Sequence, residues 1–338
     1  MERIIKLNEP VHFVSSASVG GYEEKRGPLG DKFDFCDPSD KFGQKTWEIA
    51  ESEMGRVALN TALSKANLSH EDIDLLVAGD LQNQCVASSG GLGSFGIPFI
   101  GVYGACSTCT ESLITLAAFM NTADTVQLGA AVTSSHNSAA ERQFRTPIEY
   151  GGQRPKTAQW TSTAAGAFIL GKGHGDVEIS EIMPGRIVDG ATSDGSNMGG
   201  AMAFAAADTI INYFKLSGEA LYNVDYIVTG DLGQVGSDIL RELLQKELPG
   251  AERLHTDCGL LLYDRGRQDA HSGASGCGTS ASVLSAHFLP MLREGKIRNM
   301  LFLSTGALMS PSSLLQGENI YGIAPLMRLE SKKGENEI

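Results

Sequence analysis

Gly104-Ala105-Cys106-Ser107-Thr108 is the stretch that decides how this chain folds. An apolar run over residues 97–103 enters it as a strand, and a helical pattern over 107–123 leaves it at once. A thiol is thereby set at the N-terminus of a buried helix. Unpaired backbone N–H groups and the helix dipole there favour a negative sulfur and lower its pKa. Such a cysteine serves as a nucleophile, or its pocket holds an anion.

Outward from this turn the chain alternates strands and helices. An amphipathic helix is expected around Trp47, Ala50, Met54, Val57, Ala62 and Leu63, and Ser69 with Asp72 opens a capped turn. Strands are expected over 73–79, 127–133 and 164–170. The polar stretch 135–159 is too long for a plain connector and reads as a functional loop or lid. After Gly171-Lys172-Gly173 the order repeats. Strands are expected at 177–182, 226–230, 260–263, 300–304 and 324–329, and helices near 201–215, 236–246 and 279–292.

Local echoes support a duplication. Asp74-Leu75-Leu76-Val77-Ala78-Gly79-Asp80-Leu81 is matched by Asp225-Tyr226-Ile227-Val228-Thr229-Gly230-Asp231-Leu232, and Cys106 precedes Thr133 by the same interval as Cys277 precedes Ser304. The expectation is a layered α/β protein of two related halves, 1–173 and 174–338, with mostly parallel sheets. A pseudo-twofold axis would bring the C-terminal strand ends of both halves to one crevice, where such proteins bind ligands.

Composition narrows the function classes. The 338 residues carry a net charge of −13 without any basic stripe, which argues against nucleic-acid binding and against direct attachment to anionic lipid. No apolar run approaches the length of a membrane span, so membrane association would have to come through protein partners. Six cysteines are too few for a secreted disulfide scaffold, so a reduced interior is expected. Cys106 and Cys109 have Cys-x-x-Cys spacing, but nothing else thioredoxin-like accompanies them.

Two α/β halves with a cysteine at the helix start resemble the thiolase fold: two pseudo-twofold-related βαβ halves in α-β-α-β-α layers. Ala105-Cys106-Ser107 and Gly276-Cys277-Gly278-Thr279-Ser280-Ala281-Ser282 are similar to turns of its ketoacyl synthase III branch. A closer resemblance spans nearly the whole chain. It rests on Gly27-Pro28-Leu29-Gly30, Gly79-Asp80-Leu81-Gln82-Asn83-Gln84, Ser134-Ser135-His136-Asn137, Ala140-Glu141-Arg142-Gln143-Phe144-Arg145, Glu149-Tyr150-Gly151-Gly152-Gln153, Ala205-Ala206-Ala207-Asp208-Thr209-Ile210 and Asp257-Cys258-Gly259-Leu260. Together these resemble the stage V sporulation protein AD family of spore-forming Firmicutes.

That resemblance implies a dipicolinate (pyridine-2,6-dicarboxylate) binding protein that supports uptake of calcium dipicolinate into the developing spore. It implies no cofactor, calcium entering only as counter-ion of the ligand. The implied partners are membrane proteins of the same sporulation operon and a second copy of the chain, with the protein held peripherally at the cytoplasmic face of the forespore inner membrane. The alternative is a ketoacyl synthase III-like acyltransferase using Cys106 on acyl-CoA.

Condensation in this fold needs His and Asn, or two His, to stabilise negative charge beside the thiol. Here the His position falls on Gly230, followed by Asp231, and the Asn position falls near Cys277. A binder rather than an enzyme is therefore expected, with Cys106 a vestigial nucleophile, a pocket-floor residue or simply a buried side chain. The expected ligand-binding set is Asp80, Asn83, Cys106, His136, Asn137, Arg142, Arg145, Asp231 and Cys277. Arginine forks match carboxylates, so Arg142 and Arg145 are the charge partners sought for a dianion, although a solvated loop is the plainer reading. Asp80 and Asp231 either accept backbone N–H bonds in turns or stand at the crevice mouth, Asp80 beside Cys106. His136 is either structural or a donor to a ligand carboxylate.

Overall fold

The computed structural model describes residues 4–144 and 154–333. Its strands are β1 (Ile5–Gly20), β2 (Phe35–Cys36), β3 (Leu75–Gly79), β4 (Phe99–Gly101), β5 (Leu128–Ser135), β6 (Trp160–Thr161) and β7 (Ala164–Lys172). There follow β8 (Val177–Met183), β9 (Val188–Asp189), β10 (Tyr226–Thr229), β11 (His255–Asp257), β12 (Ala274–Ser275), β13 (Asn299–Leu303), β14 (Gly306–Leu308), β15 (Tyr321–Ile323) and β16 (Leu326–Ser331). The main sheet runs β11-β10-β13-β16-β8-β1-β7-β5-β3-β4, with β2 beside β1. Read from either end the pairing is the same: two parallel neighbours, then two antiparallel ones. The two halves meet where β1 and β8 pair antiparallel. The sheet is thus mixed, not mostly parallel, because in each half one strand, β7 or β16, runs against both its neighbours, and the halves themselves meet antiparallel.

Helices complete the layers: α1 (Tyr22–Arg26), α2 (Trp47–Lys65), α3 (Val86–Leu92), α4 (Thr108–Thr122), α5 (Asn137–Phe144), α6 (Met198–Ser217), α7 (Gly233–Glu247), α8 (Cys258–Leu262), α9 (Cys277–Val283), α10 (Leu289–Arg293) and α11 (Pro311–Leu315). Helices α4 and α9 form the central layer, α4 touching strands of both sheet halves and α9 resting on β7, β5 and β1. Their apolar faces, with Leu113, Leu116, Met120, Val283 and Leu284, join Phe168, Ile179 and Met327 in the central core. Ala50, Met54, Leu59 and Leu63 of α2 cover the outer face of the first half. Ala205, Ile210, Tyr213 and Leu240 of α6 and α7 cover that of the second. This is the α-β-α-β-α layering expected.

Glycine makes the central layer possible. A Cβ on Gly278 would stand 2.1 Å from the Ala164 carbonyl, and one on Gly166 would stand 2.6 Å from that of Ala281, so α9 rests directly on β7.

Several local expectations change. Residues 258–262 form a helix, not a strand: a short apolar run suits either state, and here Gly259 tucks under the Ala274 carbonyl. The helix expected over 279–292 is α9, a π turn at Leu284–Phe288 and then α10. The stretch 135–159 is not all loop, since β5 runs to Ser135 and α5 follows. The Ser69–Asp72 turn is capped as expected, Ser69 N and Oγ donating to Asp72 Oδ2 at 2.7 and 2.9 Å.

Candidate functional site

Cys106 sits in a 3₁₀ turn, Ala105–Ser107, that passes straight into α4. The turn is strained and tied down. Ala105 has φ 53°, in the left-handed region that disfavours a Cβ. Thr108 Oγ1 donates to the Ala105 carbonyl at 2.7 Å, and Ser107 Oγ donates to Glu111 Oε1 at 2.7 Å. The result aims the Cys106 thiol at a cavity of about 570 Å³.

Both halves build that cavity. Leu81, Tyr103, Cys106, Ala140 and Phe144 come from the first, while Ser275, Met198, Ala307–Ser310, Asn319 and Tyr321 come from the second. Its walls are mainly apolar, with scattered hydroxyls and the carboxylates of Glu141 and Glu318. Among the described residues no lysine or arginine lines it.

The group facing the sulfur is Ser275, whose Oγ lies 4.0 Å from Cys106 Sγ. Behind it, Asp231 Oδ2 accepts from Ser275 Oγ at 3.3 Å and from Gly276 N at 2.9 Å, and Oδ1 accepts from Thr305 Oγ1 at 2.9 Å. Burial pushes the Asp231 carboxyl up to about 6. Burial first, and then the Asp231 charge, push the Cys106 thiol well above its usual range. The expected lowering at the helix start is overturned. The dipole of one helix end is small against loss of most solvation beside an anion.

Asp80 is fully buried and spent within its own turn. Oδ1 accepts from Gln82 N at 2.8 Å, and Oδ2 accepts from Ser88 N at 2.8 Å and Ser88 Oγ at 2.6 Å. Neither aspartate stands at the crevice mouth: Asp80 is spent in its own turn, while Asp231 accepts from Ser275, Gly276 and Thr305 of distant segments. The carboxylate beside Cys106 is Asp231 of the other half, because the pseudo-twofold crosses each cysteine with the partner half's turn.

His136 also points away from the cavity. Its Nε2 meets the Asp40 carbonyl at 2.8 Å, its ring stacks on Trp47 at 5.3 Å, and burial lowers its pKa. Asn137 ties α5 to β6, its Nδ2 donating to the Thr161 carbonyl at 3.0 Å. Asn83 Oδ1 accepts from Tyr103 Oη at 3.1 Å, beside the cavity rather than in its wall. Cys277 is fully buried and donates to the Ser134 carbonyl at 2.9 Å, in one small cluster with Cys106, Leu81 and Ala140. Arg142 is turned to Glu48, with Nε 3.0 Å from Oε1. Arg145 lies outside the described residues.

Cys109 is fully buried, its thiol pushed up to about 12 by burial, which leaves the Cys-x-x-Cys pair without a reactive partner for Cys106. Among the described residues no group of three or more His, Cys, Asp or Glu side chains is arranged to hold a metal ion.

Sequence reasoning missed the second-half wall. Small strands β14-β15-β9 and helix α11 present Met309, Ser310, Leu314 and Tyr321 to the cavity. One signal was available. Ser310 followed by Pro311 marks a helix start, and Ser313 N donates to Ser310 Oγ at 3.1 Å. Ser275 carried no such signal, since serine in a Gly/Ser-rich turn is unremarkable.

The model of the stage V sporulation protein AD family matches residues 1–330. Stage V sporulation protein AD of Bacillus subtilis (strain 168) is 42% identical over 318 residues, 94% of this chain and 94% of that protein. Among solved structures, cerulenin-bound OleA of Xanthomonas campestris superposes with a TM-score of 0.60 at 14% identity, over 96% of this chain and 99% of the other. Acetamide-bound OleA gives 0.58 at 15% identity, with the same coverage. The OleA likeness establishes the thiolase-like fold.

Proposed function

This chain belongs to the stage V sporulation protein AD family, and from that membership we propose that it binds dipicolinate in the Cys106 cavity and supports uptake of calcium dipicolinate into the developing spore. The observation that carries the reading is the cavity itself. It is roomy, mainly apolar, and bounded at the sulfur by Ser275 rather than by a His–Asn pair. A pyridine ring suits the Leu81, Ala140 and Phe144 walls, and the Thr161 hydroxyl, joined by those of Ser275 and Tyr103 on turning from Asp231 and Asn83, would donate to carboxylate oxygens. With glutamates at the wall and no cation among the described lining residues, calcium travelling with the ligand would offset its charge.

Binding, not bond-making, is the proposed role, and the raised thiol pKa favours it over acyl transfer. No helix is long and apolar enough to cross a membrane among the described residues. The proposed site of action is the cytoplasmic face of the forespore inner membrane, reached through membrane proteins of the same operon. A homodimer is proposed through the first half, where β4 ends the sheet with Phe99 42% exposed and Tyr103 close by.

Calorimetry with dipicolinate, alone and with calcium, tests the reading, with benzoate as the control ligand. One saturable dipicolinate site, lost on Ala140→Phe, is expected. Equal affinity for benzoate at that site, or an unchanged number of dipicolinate sites in Ala140→Phe, ends it. Incubation with acyl-CoA and intact-mass measurement tests the alternative: an adduct lost in Cys106→Ala would establish acyl transfer instead.

A further inference from the structure

A second cleft of about 240 Å³ lies behind the Cys106 cavity and shares a wall with it. The wall is the two-residue ribbon β6–β12, in which Trp160 pairs with Ala274 and Thr161 with Ser275. Successive strand residues point to opposite faces. Thr161 and Ser275 accordingly line the Cys106 cavity, and Trp160 lines the second cleft.

The second cleft has the cations that the first lacks, with the carboxylates of Glu23 and Asp269 also in its lining. Its floor is buried Tyr263 and Ala270, its side is the Trp160 ring, and Arg26 and Arg267 stand at its rim. Arg154 braces Trp160 with its guanidinium 4.9 Å from the ring centroid. The floor polar groups are already committed. Tyr263 Oη donates to Glu24, and Gln268 Nε2 donates to Glu23 Oε2 at 2.9 Å. Each rim cation has an acidic partner, and Arg26 also lies 5.3 Å over the Tyr22 ring. Arg267 is 88% exposed and reaches Asp264 only at 3.5 Å, while Arg26 gives Glu23 a single nitrogen at 2.9 Å. Two arginine forks above an aromatic floor match a planar ring bearing a carboxylate, the ring lying on apolar surface and the oxygens meeting the forks.

We infer that this cleft is a second binding site, for planar aromatic carboxylates, separate from the Cys106 cavity and divided from it by the Trp160–Thr161 strand. Dipicolinate and benzoate both belong to this class, and the site discriminates between them less than an enclosed pocket would.

The chain has two tryptophans, so Trp47→Phe leaves Trp160 as the sole reporter. In a Trp47→Phe, Ala140→Phe chain, whose Cys106 cavity is filled, dipicolinate and benzoate titrations are followed by emission excited at 295 nm. A saturable change of Trp160 emission is expected with both, weakened at least about tenfold by Arg26→Ala with Arg267→Ala. No change, or a change that survives loss of both arginines, overturns the inference. Should the filled chain not fold, calorimetry on Trp47→Phe alone decides. Loss of one dipicolinate site on removing the arginines is expected, and an unaltered number of sites refutes it. Failure of the Cys106 cavity to bind would leave the emission result untouched, so the two readings fail separately.

Discussion

Cys106 Sγ and Ser275 Oγ stand 4.0 Å apart, although 169 residues separate them in the chain. That contact joins the halves of the duplication at one point, and it places the Asp231 carboxylate directly behind the serine. A thiol so placed is neutral at ordinary pH, and its environment defines a measurable reactivity.

Alkylation of Cys106 by iodoacetamide, followed by intact mass, should be slower than that of an unperturbed cysteine across pH 7–9. Asp231→Asn removes the anion behind Ser275 and should raise the rate several-fold at pH 8. A thiol that titrates at or below about 8.5 in the unmutated protein would contradict this account.

Asp80 should act as a structural residue. Asp80→Ala strips the acceptor from Gln82 N, Ser88 N and Ser88 Oγ in a buried turn, and should cost about 2–4 kcal/mol in urea unfolding. Asp80→Asn retains one acceptor oxygen and should cost less. Because Leu81 follows directly and lines the cavity, ligand affinity should fall with stability rather than independently of it.

Stability should fall as pH rises from about 5 to about 8. Glu51 is buried beside Asp80 and held up at about 8, with Gln82 Nε2 and Ser134 Oγ as its donors. Its folded value lies above the unfolded one near 4.5, so its contribution is fully present below pH 4.5 and is lost as pH climbs through 8. Glu24 and Asp257, both raised to about 7 by burial, act in the same direction. Glu51→Gln should flatten this part of the profile, by on the order of a few kcal/mol between pH 5 and 8. Parallel urea titrations of the two proteins at both pH values measure it, and identical slopes would refute it.

Strand β4 should be the dimer edge. Phe99→Arg places a charge on the exposed end strand, and sedimentation velocity should show a shift from dimer to monomer with little change in melting temperature. A protein that is monomeric before substitution, or dimeric after it, rules this edge out.

How much of this was legible beforehand depends on how local each signal is. The Cys106 turn, the amphipathic α2 and the echo of Asp80 in Asp231 are short-range patterns, and each led to the right element. The strand expected at 260–263 falls largely in α8, because a short apolar run suits helix and strand alike and only packing against Ala274 chooses. His136 and Arg142 were plausible ligand donors by type. Their directions were fixed by Asp40 and Glu48, partners far away in the chain that no local pattern announces.

By itself the sequence determined the duplicated α/β order, the thiol at a helix start and the family to which the chain belongs, because periodicity and motif spacing are properties of neighbouring residues. Only the tertiary structure decided that Ser275 and Asp231 face the thiol, that Asp80 is spent in its own turn, and that α11 with β14-β15-β9 closes the cavity. Those relations arise across the pseudo-twofold axis, where distance in space bears no relation to distance along the chain. The sign of the thiol's pKa shift is settled there too, by burial against a carboxylate from the opposite half.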